Sequence, residues 1–370
     1  MIIGAGVVGL GAGFELTHRN YRVTLVDRGP ARSGSSWAGA GILSPLPPWA
    51  YGHAVSQLAL AGMCGWGTWT KVLASLGQTD PEYWRCGMVV MDDPAPSQAL
   101  DWCAQHDLVC LNGEEPARDA QAPAMNKHSL WLPEVAQVRN PRLLRALVEA
   151  IEHRGGELIA RTSATGLITR GRRVEAILTP NGEMRAERFI VATGAWGGMG
   201  LGPLPGLDAI RPVRGQILLF GPGSHSLSTI VFRAGHYLVP RRDGHLLVGS
   251  TLEDAGFDAN TRPESLAMLH QAASELLPAL ANHAPIQGWA GLRPGSPDNI
   301  PLIDRHPDYD NLWLSLGHYR YGVTMAPASA ALLADLIEER APAIDPEPYS
   351  WASFSQRVWT ADNSPAPVQC

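Results

Sequence analysis

Three glycines, Gly4-x-Gly6-x-x-Gly9, separate a short apolar segment, Met1-Ile2-Ile3, from a run that suits a helix. The run extends from Val7 to Arg19, with Leu10, Phe14 and Leu16 available for packing. Tyr21 to Asp27 then reads as a second strand that ends in an acid. A β-α-β unit at this spacing makes demands that few residues satisfy. Gly4 permits the tight turn, Gly6 lets a pyrophosphate approach the backbone, and Gly9 lets helix and strand pack closely. The helix N-terminus offers unpaired N–H groups and the positive end of its dipole to phosphates. Asp27 can accept hydrogen bonds from ribose hydroxyls, which disfavours a 2′-phosphorylated ribose and so NADP. FAD and NAD both remain open at this point.

A second glycine signal comes later. Arg188 to Ala192 is a nearly all-apolar strand, as the middle of a parallel sheet requires. It ends in Thr193-Gly194-Ala195-Trp196, a turn that returns the chain to the same nucleotide. With 370 residues, 45% of them hydrophobic and 17% charged, the chain is long enough for two structural units with a sizeable core. Helices are expected at about 53–76, at 140–154 with Asn140 as cap and Pro141 in the first turn, at 263–277 and at 327–340. Strands are expected at 87–91, 158–159, 164–168, 174–177, from Trp289 and at 312–316. From about 206 to 256 the pattern becomes antiparallel, with strands at 216–220, 236–240 and 245–249. The last 25 residues or so, rich in Pro, Ser and Ala, read as a loose tail.

Composition excludes several classes. A net charge of -6, from 29 Lys+Arg against 35 Asp+Glu, argues against a nucleic-acid partner, which needs a basic face. No segment reaches the 18 or so apolar residues of a membrane span. Five cysteines, at 64, 86, 103, 110 and 370, form no CxxC, so a reducing cytoplasm is the simpler setting. No HxH, HExxH or carboxylate cluster suggests a metal.

Four stretches together carry a family resemblance. They are the N-terminal turn with Asp27, then Ser35-Ser36-Trp37-Ala38-Gly39-Ala40-Gly41-Ile42-Leu43-Ser44-Pro45, then Ala192 to Trp196. The fourth runs from Trp289-Ala290-Gly291-Leu292-Arg293-Pro294-Gly295 through Gly317-His318-Tyr319-Arg320-Tyr321-Gly322-Val323. The sequence resembles the D-amino-acid oxidase family of flavoproteins, and within it the glycine oxidase branch. The resemblance implies an α/β fold: a Rossmann-type FAD-binding domain interleaved with an α+β substrate domain on a largely antiparallel sheet. Residues 1–80, 138–205 and 288–345 would form the first, residues 81–137 and 206–287 the second, and 346–370 the tail. It also implies site roles. Gly4, Gly6, Val7, Val8 and Gly9 would lie at the pyrophosphate turn, and Asp27 and Arg28 near the adenosine. Ser35, Ser36, Ala40, Gly41 and Ile42 would line the phosphate and flavin path. Ala164 would offer its backbone to adenine, and Thr193, Gly194 and Trp196 would complete the nucleotide site. His318, Tyr319, Arg320, Tyr321, Gly322, Val323 and Thr324 would run under the flavin ring, at a helix start that stabilises negative charge. No cysteine lies between Arg293 and His318, so FAD is expected to be non-covalent.

Arg293 is the leading substrate residue, because a guanidinium fork matches a planar carboxylate with two charge-assisted hydrogen bonds. A structural arginine paired to Asp298 or Asp304 is the alternative. Arg320 and Tyr237 are further substrate candidates, against a loop-fixing arginine and an ordinary core tyrosine. His318 and His236 are expected to be non-catalytic, since hydride leaves the α-carbon directly for flavin N5 and alignment matters more than a base. Trp49, Trp66 and Trp69 either roof the site or belong to the core. Tyr321 departs from the branch, which usually carries Asn there, and Ser44 and Leu252 stand at positions that vary with substrate. Only three residues precede Gly4, a short first strand. The expected reaction is oxidation of glycine, sarcosine or a small D-amino acid by dioxygen, giving a 2-oxo acid, ammonia or amine, and hydrogen peroxide. A glycine oxidase role would feed thiamine synthesis, and relatives commonly form homo-oligomers. A dehydrogenase with another electron acceptor and a non-catalytic flavin-fold binding protein remain as alternatives.

Overall fold

Ile2–Ile3, short as it is, forms an interior strand of a six-stranded sheet. It pairs in parallel with Phe189–Val191 on one side and Thr24–Val26 on the other. The computed structural model describes residues 1–30, 34–112, 125–201, 204 and 206–359. Glu157–Ile159 and Leu312–Leu316 extend the sheet in parallel, and Leu302–Arg305 closes one edge antiparallel. These strands are apolar because the sheet is covered on both faces. Helices Val7–His18, His53–Leu76, Asn140–His153 and Gly322–Ile337 supply one cover, burying Leu10, Phe14, Leu58, Leu147 and Leu333. A three-stranded antiparallel sheet, Gly166–Arg170, Arg173–Thr179 and Gly182–Arg185, lies on the other side, where Ile177 packs with Phe189 and Leu314.

The second sheet has eight strands, and its longest pair is Arg211–Phe220 against Gln287–Gly295. Leu246–Gly249, His236–Pro240 and Ile230–Arg233 follow antiparallel, and Met88–Val90 joins in parallel. Helix Pro263–Leu276 packs Leu269, Ala273 and Leu276 against Leu218, Leu238 and Val248. Strand Gln287–Gly295 therefore runs in the antiparallel sheet, although residues from 288 were expected with the nucleotide-binding unit.

Several local expectations change. Asn140 does not cap its helix; its side-chain amide donates to Ser36 O at 2.6 Å, and Arg139 holds the cap position without a side-chain bond. The helix expected from Pro327 begins at Gly322, and Met325 N–H already bonds Tyr321 O at 2.8 Å. Pro327 is thus inside the helix. The tail reading fails for its first part. Tyr349 and Phe354 are fully buried, Trp351–Ser355 is helical, and Tyr349 Oη donates to Ala54 O at 2.6 Å. Two aromatic anchors hold this Pro- and Ser-rich stretch down; residues 360–370, with Cys370, lie outside the described residues.

Helices His53–Leu76 and Gly322–Ile337 pack with almost no space between them. A Cβ on Gly62 would sit 2.2 Å from Thr324 O, whereas one on Gly67 would meet nothing within 4 Å. Gly62→Ala is expected to destabilise by about 2 kcal/mol or more through overpacking. Gly67→Ala is expected to stabilise by about 0.5–1 kcal/mol through helix propensity. Thermal unfolding of both variants checks the contrast, and equal shifts would contradict this packing.

Candidate active site

The Gly-rich turn is held by side chains from elsewhere. A Cβ on Gly4 would lie 2.3 Å from Ala192 O, and one on Gly9 would lie 2.0 Å from Gly4 O. Both glycines are therefore packing residues behind the turn. Ser36 Oγ accepts from Val7 N–H at 2.9 Å, and Asp27 Oδ2 accepts from Ala5 N–H at 2.7 Å. Asp27 Oδ1 takes Gly29 N–H at 2.8 Å. Each carboxylate oxygen retains acceptor capacity, so Asp27 can brace the turn and still meet a ribose hydroxyl.

Gly6, Val7 and Val8 open onto a cavity of about 540 Å³. Ser35, Ser36, Ala40, Gly41, Ile42 and Gly194 line the same cavity. Its far wall holds Tyr237, Arg293, and the run His318 to Val323. Most of the candidate residues are thus brought to one space. The adenosine-side group lies off the cavity: Arg28 stacks over the Trp196 ring at 3.5 Å, and Trp196 stacks on Phe257 with centroids 5.7 Å apart. Ala164 is close to Gly200, and Thr193 Oγ1 donates to Gly197 O. Thr324 is not brought in; its hydroxyl donates to Ile42 O at 3.2 Å from behind the wall. Trp66 and Trp69 are core residues stacked edge to face at 5.6 Å, and Trp49 donates to Asp93 Oδ2 at 2.9 Å.

Two polar residues were missed in the sequence. Arg241, 7% exposed, donates to Ala40 O at 2.7 Å and to Val138 O at 3.0 Å, fixing the Ala40 to Ile42 path. Burial lowers its pKa to about 10. Asn140 lines the cavity, and its Oδ1 is buried with no hydrogen-bond partner among the described residues. Neither lies in a glycine motif, and their partners are remote in sequence, so no local signal could have found them.

Arg293 donates from Nη2 to Ser250 Oγ at 2.7 Å and from Nη1 to Thr251 O at 3.2 Å. Asp304, one of its expected structural partners, instead accepts the N–H groups of Arg305 and Trp351. Burial lowers the Arg293 pKa. Arg320 is exposed at the cavity edge, and its guanidinium lies over the Tyr319 ring at 5.5 Å. Tyr321 is 3% exposed; its hydroxyl bonds the Tyr51 hydroxyl and accepts from Leu46 N–H at 3.4 Å, closing one side of the cavity. Ser44 and Leu252 line the wall as well. The N-terminus of helix Gly322–Ile337 opens here, with Gly322 and Val323 on the surface of the cavity.

These features fit a flavin dinucleotide. Gly6 lets the backbone of the turn face the cavity, Gly41 has φ +74° with Val138 O 2.0 Å from where its Cβ would be, and Asn140 Oδ1, with no partner among the described residues, waits in the wall. The chain belongs to the DAO family of FAD-dependent oxidoreductases, whose model matches residues 1–336. It is similar to glycine oxidase of Pseudomonas aeruginosa, 42% identical over 357 residues that span 95% of this chain and 97% of the relative. Glycine oxidase of Pseudomonas putida is 38% identical, over 95% and 97% of the two chains. The crystal structure of glycine oxidase from Geobacillus kaustophilus superposes with a TM-score of 0.88 at 26% identity, covering 97% and 98%. Among the described residues no helix is long and apolar enough to cross a membrane.

His318 is 1% exposed, and Nε2 lies 3.0 Å from Ser329 Oγ. Burial pushes its pKa down to about 3 from the usual 6.5, so the imidazole is neutral at physiological pH. Between those two values the unfolded chain binds a proton that the folded chain does not. Stability therefore falls as pH drops from about 6.5 toward 3, by about 1.4 kcal/mol per unit from this residue. Unfolding midpoints of the wild type and His318→Gln across that range test this; the variant should show the shallower decline, and equal slopes would clear His318.

Proposed function

We propose that the chain catalyses FAD-dependent oxidative deamination of a small amino acid: glycine, sarcosine or a small D-amino acid. The products are a 2-oxo acid, ammonia or amine, and hydrogen peroxide. The observation that carries this reading is a half-buried arginine, Arg293, on the wall of the cavity that also receives the Gly-rich turn and a helix N-terminus. Of its five N–H donors, Ser250 and Thr251 engage two, which fixes the fork and leaves donors for a carboxylate. Tyr237 stands in the same wall and Arg320 at its edge, both positioned to hold a short substrate. The family membership and the two Pseudomonas relatives named glycine oxidase support the same chemistry.

FAD, when bound, would supply the hydride acceptor and the route of the electrons to dioxygen. The protein's part is alignment. Pinning the carboxylate at Arg293 sets the α-carbon, and no side chain needs to act as a strong base. Neutral His318 is consistent with that, being far too weak a base after burial. The helix start at Gly322 favours negative charge at the ring position. Candidate holders are Gly6, Val7, Val8, Ser35, Ser36, Ala40, Gly41, Ile42 and Gly194 toward the phosphates and His318 to Val323 beneath the ring. Asp27, Arg28, Ala164, Thr193 and Trp196 serve the adenosine end. The FAD is taken as non-covalent from the family resemblance, and the four free thiols among the described residues favour a cytoplasmic setting. A homo-oligomeric state, the two-domain division and a place in thiamine synthesis extend the reading from the family resemblance.

The test is an anaerobic panel of amines and amino acids on the holoenzyme, with flavin absorbance followed and peroxide assayed when air returns. Bleaching by glycine, sarcosine or a D-amino acid with peroxide formed is expected. Bleaching without peroxide points to another electron acceptor, and no bleaching by any amine overturns the reading. Arg293→Lys, which loses the planar fork, is expected to raise KM for the amino acid about 10- to 100-fold.

A further inference from the structure

Strand Arg211–Phe220 presents alternate residues to opposite sides. Gly215 faces Arg293, and a Cβ there would lie 2.2 Å from Arg293 Nη1, so the guanidinium rests on bare backbone. Arg214 and Gln216 face the other way and hold the segment that returns from Leu246–Gly249. Arg214 is fully buried; its Nε donates to Glu253 Oε2 at 2.6 Å and its Nη1 to Asp258 Oδ2 at 2.6 Å. Arg214 and Glu253 also exchange backbone hydrogen bonds of 2.9 and 3.0 Å. Gln216 Nε2 donates to Glu253 Oε1 at 2.6 Å, and Gln216 N–H donates to Thr251 Oγ1 at 3.0 Å. The held segment therefore starts with Ser250 and Thr251, the two residues that bond Arg293.

We propose that the Arg214–Glu253–Gln216 cluster is the positioning device for Arg293 and sets the affinity of the site for the substrate carboxylate. The inference rests on Arg293 binding that carboxylate. A buried ion pair is a poor source of net stability, and apolar replacement of both partners is commonly tolerated. Its value here is geometric. The pair pins the segment at Glu253, two residues beyond Thr251, so Ser250 Oγ and Thr251 O cannot drift from the guanidinium. None of the three cluster residues lines the cavity.

The double variant Arg214→Met/Glu253→Met removes both charges together, and Gln216→Leu removes one arm while the ion pair stays. Acetate, a carboxylate without an amine, serves as the probe, titrated against flavin absorbance of the holoenzyme. In the double variant the acetate Kd and the glycine KM are expected to rise together by about tenfold, with kcat within about threefold and FAD content unchanged. Gln216→Leu is expected to show a smaller rise in both and decides the matter if the double variant does not fold. If Arg293→Lys weakens acetate binding and a folded cluster variant does not, the cluster is merely structural and this inference is overturned. If Arg293→Lys also leaves acetate binding unchanged, the carboxylate reading of Arg293 fails and takes this inference with it.

Discussion

The architecture depends on one backbone contact. The turn after Ile2–Ile3 meets Ala192 at the end of a neighbouring strand so closely that Gly4 has no space for a Cβ, and Gly9 presses on Gly4 from the helix side. That contact brings the N-terminus of Val7–His18 to the carboxyl ends of the parallel strands, the usual place for a ligand in such sheets. The other walls are built around it. Ser36 reaches over to Val7 N–H, Asp27 reaches back to Ala5 N–H, and the Ala40 to Ile42 path is laid beside Val138 and held by Arg241. A side chain at Gly4 or Gly9 would displace the helix start and disturb the bonds of Val7 N–H to Ser36 and of Ala5 N–H to Asp27.

The two sheets divide the chemistry between them. The parallel sheet contributes helix starts and small residues, which suit phosphates and an extended flavin. The antiparallel sheet contributes a half-buried arginine and a tyrosine, which suit a short anion. The boundary passes through strand Gln287–Gly295, which carries Arg293 in the second sheet while the turn of Pro294 accepts Tyr319 N–H at 3.0 Å. The proposed substrate and cofactor surfaces are therefore registered by one strand and not by a flexible linker.

Much of this was legible in sequence, for reasons that differ by residue. Gly4, Gly6, Gly9 and Asp27 could be read because the glycine spacing and the terminal acid follow one another within one short β-α-β segment. Arg293 and the His318 to Val323 run could be read through the resemblance, since nothing in their spacing alone points to an anion. Thr324 was grouped with that run through the resemblance, but one residue along a helix turns a side chain by about 100°, enough to send its hydroxyl to Ile42 O. Tyr349 and Phe354 escaped because two anchors in a Pro-rich stretch have no period. Arg241, Asn140 and Glu253 escaped because a buried polar residue is identified by its partners, and those lie far away along the chain.

The chain order of the parallel sheet has a consequence for biogenesis. Ile2–Ile3 is synthesised well before its partner Phe189–Val191, which follows more than 180 residues later, and Leu312–Leu316 comes later still. Until then the first strand has a neighbour on one side only, and apolar faces meant for burial are open to other chains. Pairings this distant close slowly, because loop entropy is spent before the contacts form. The nascent chain thus depends on protection from aggregation over that interval, and the parallel sheet is completed only once Leu312–Leu316 has been made.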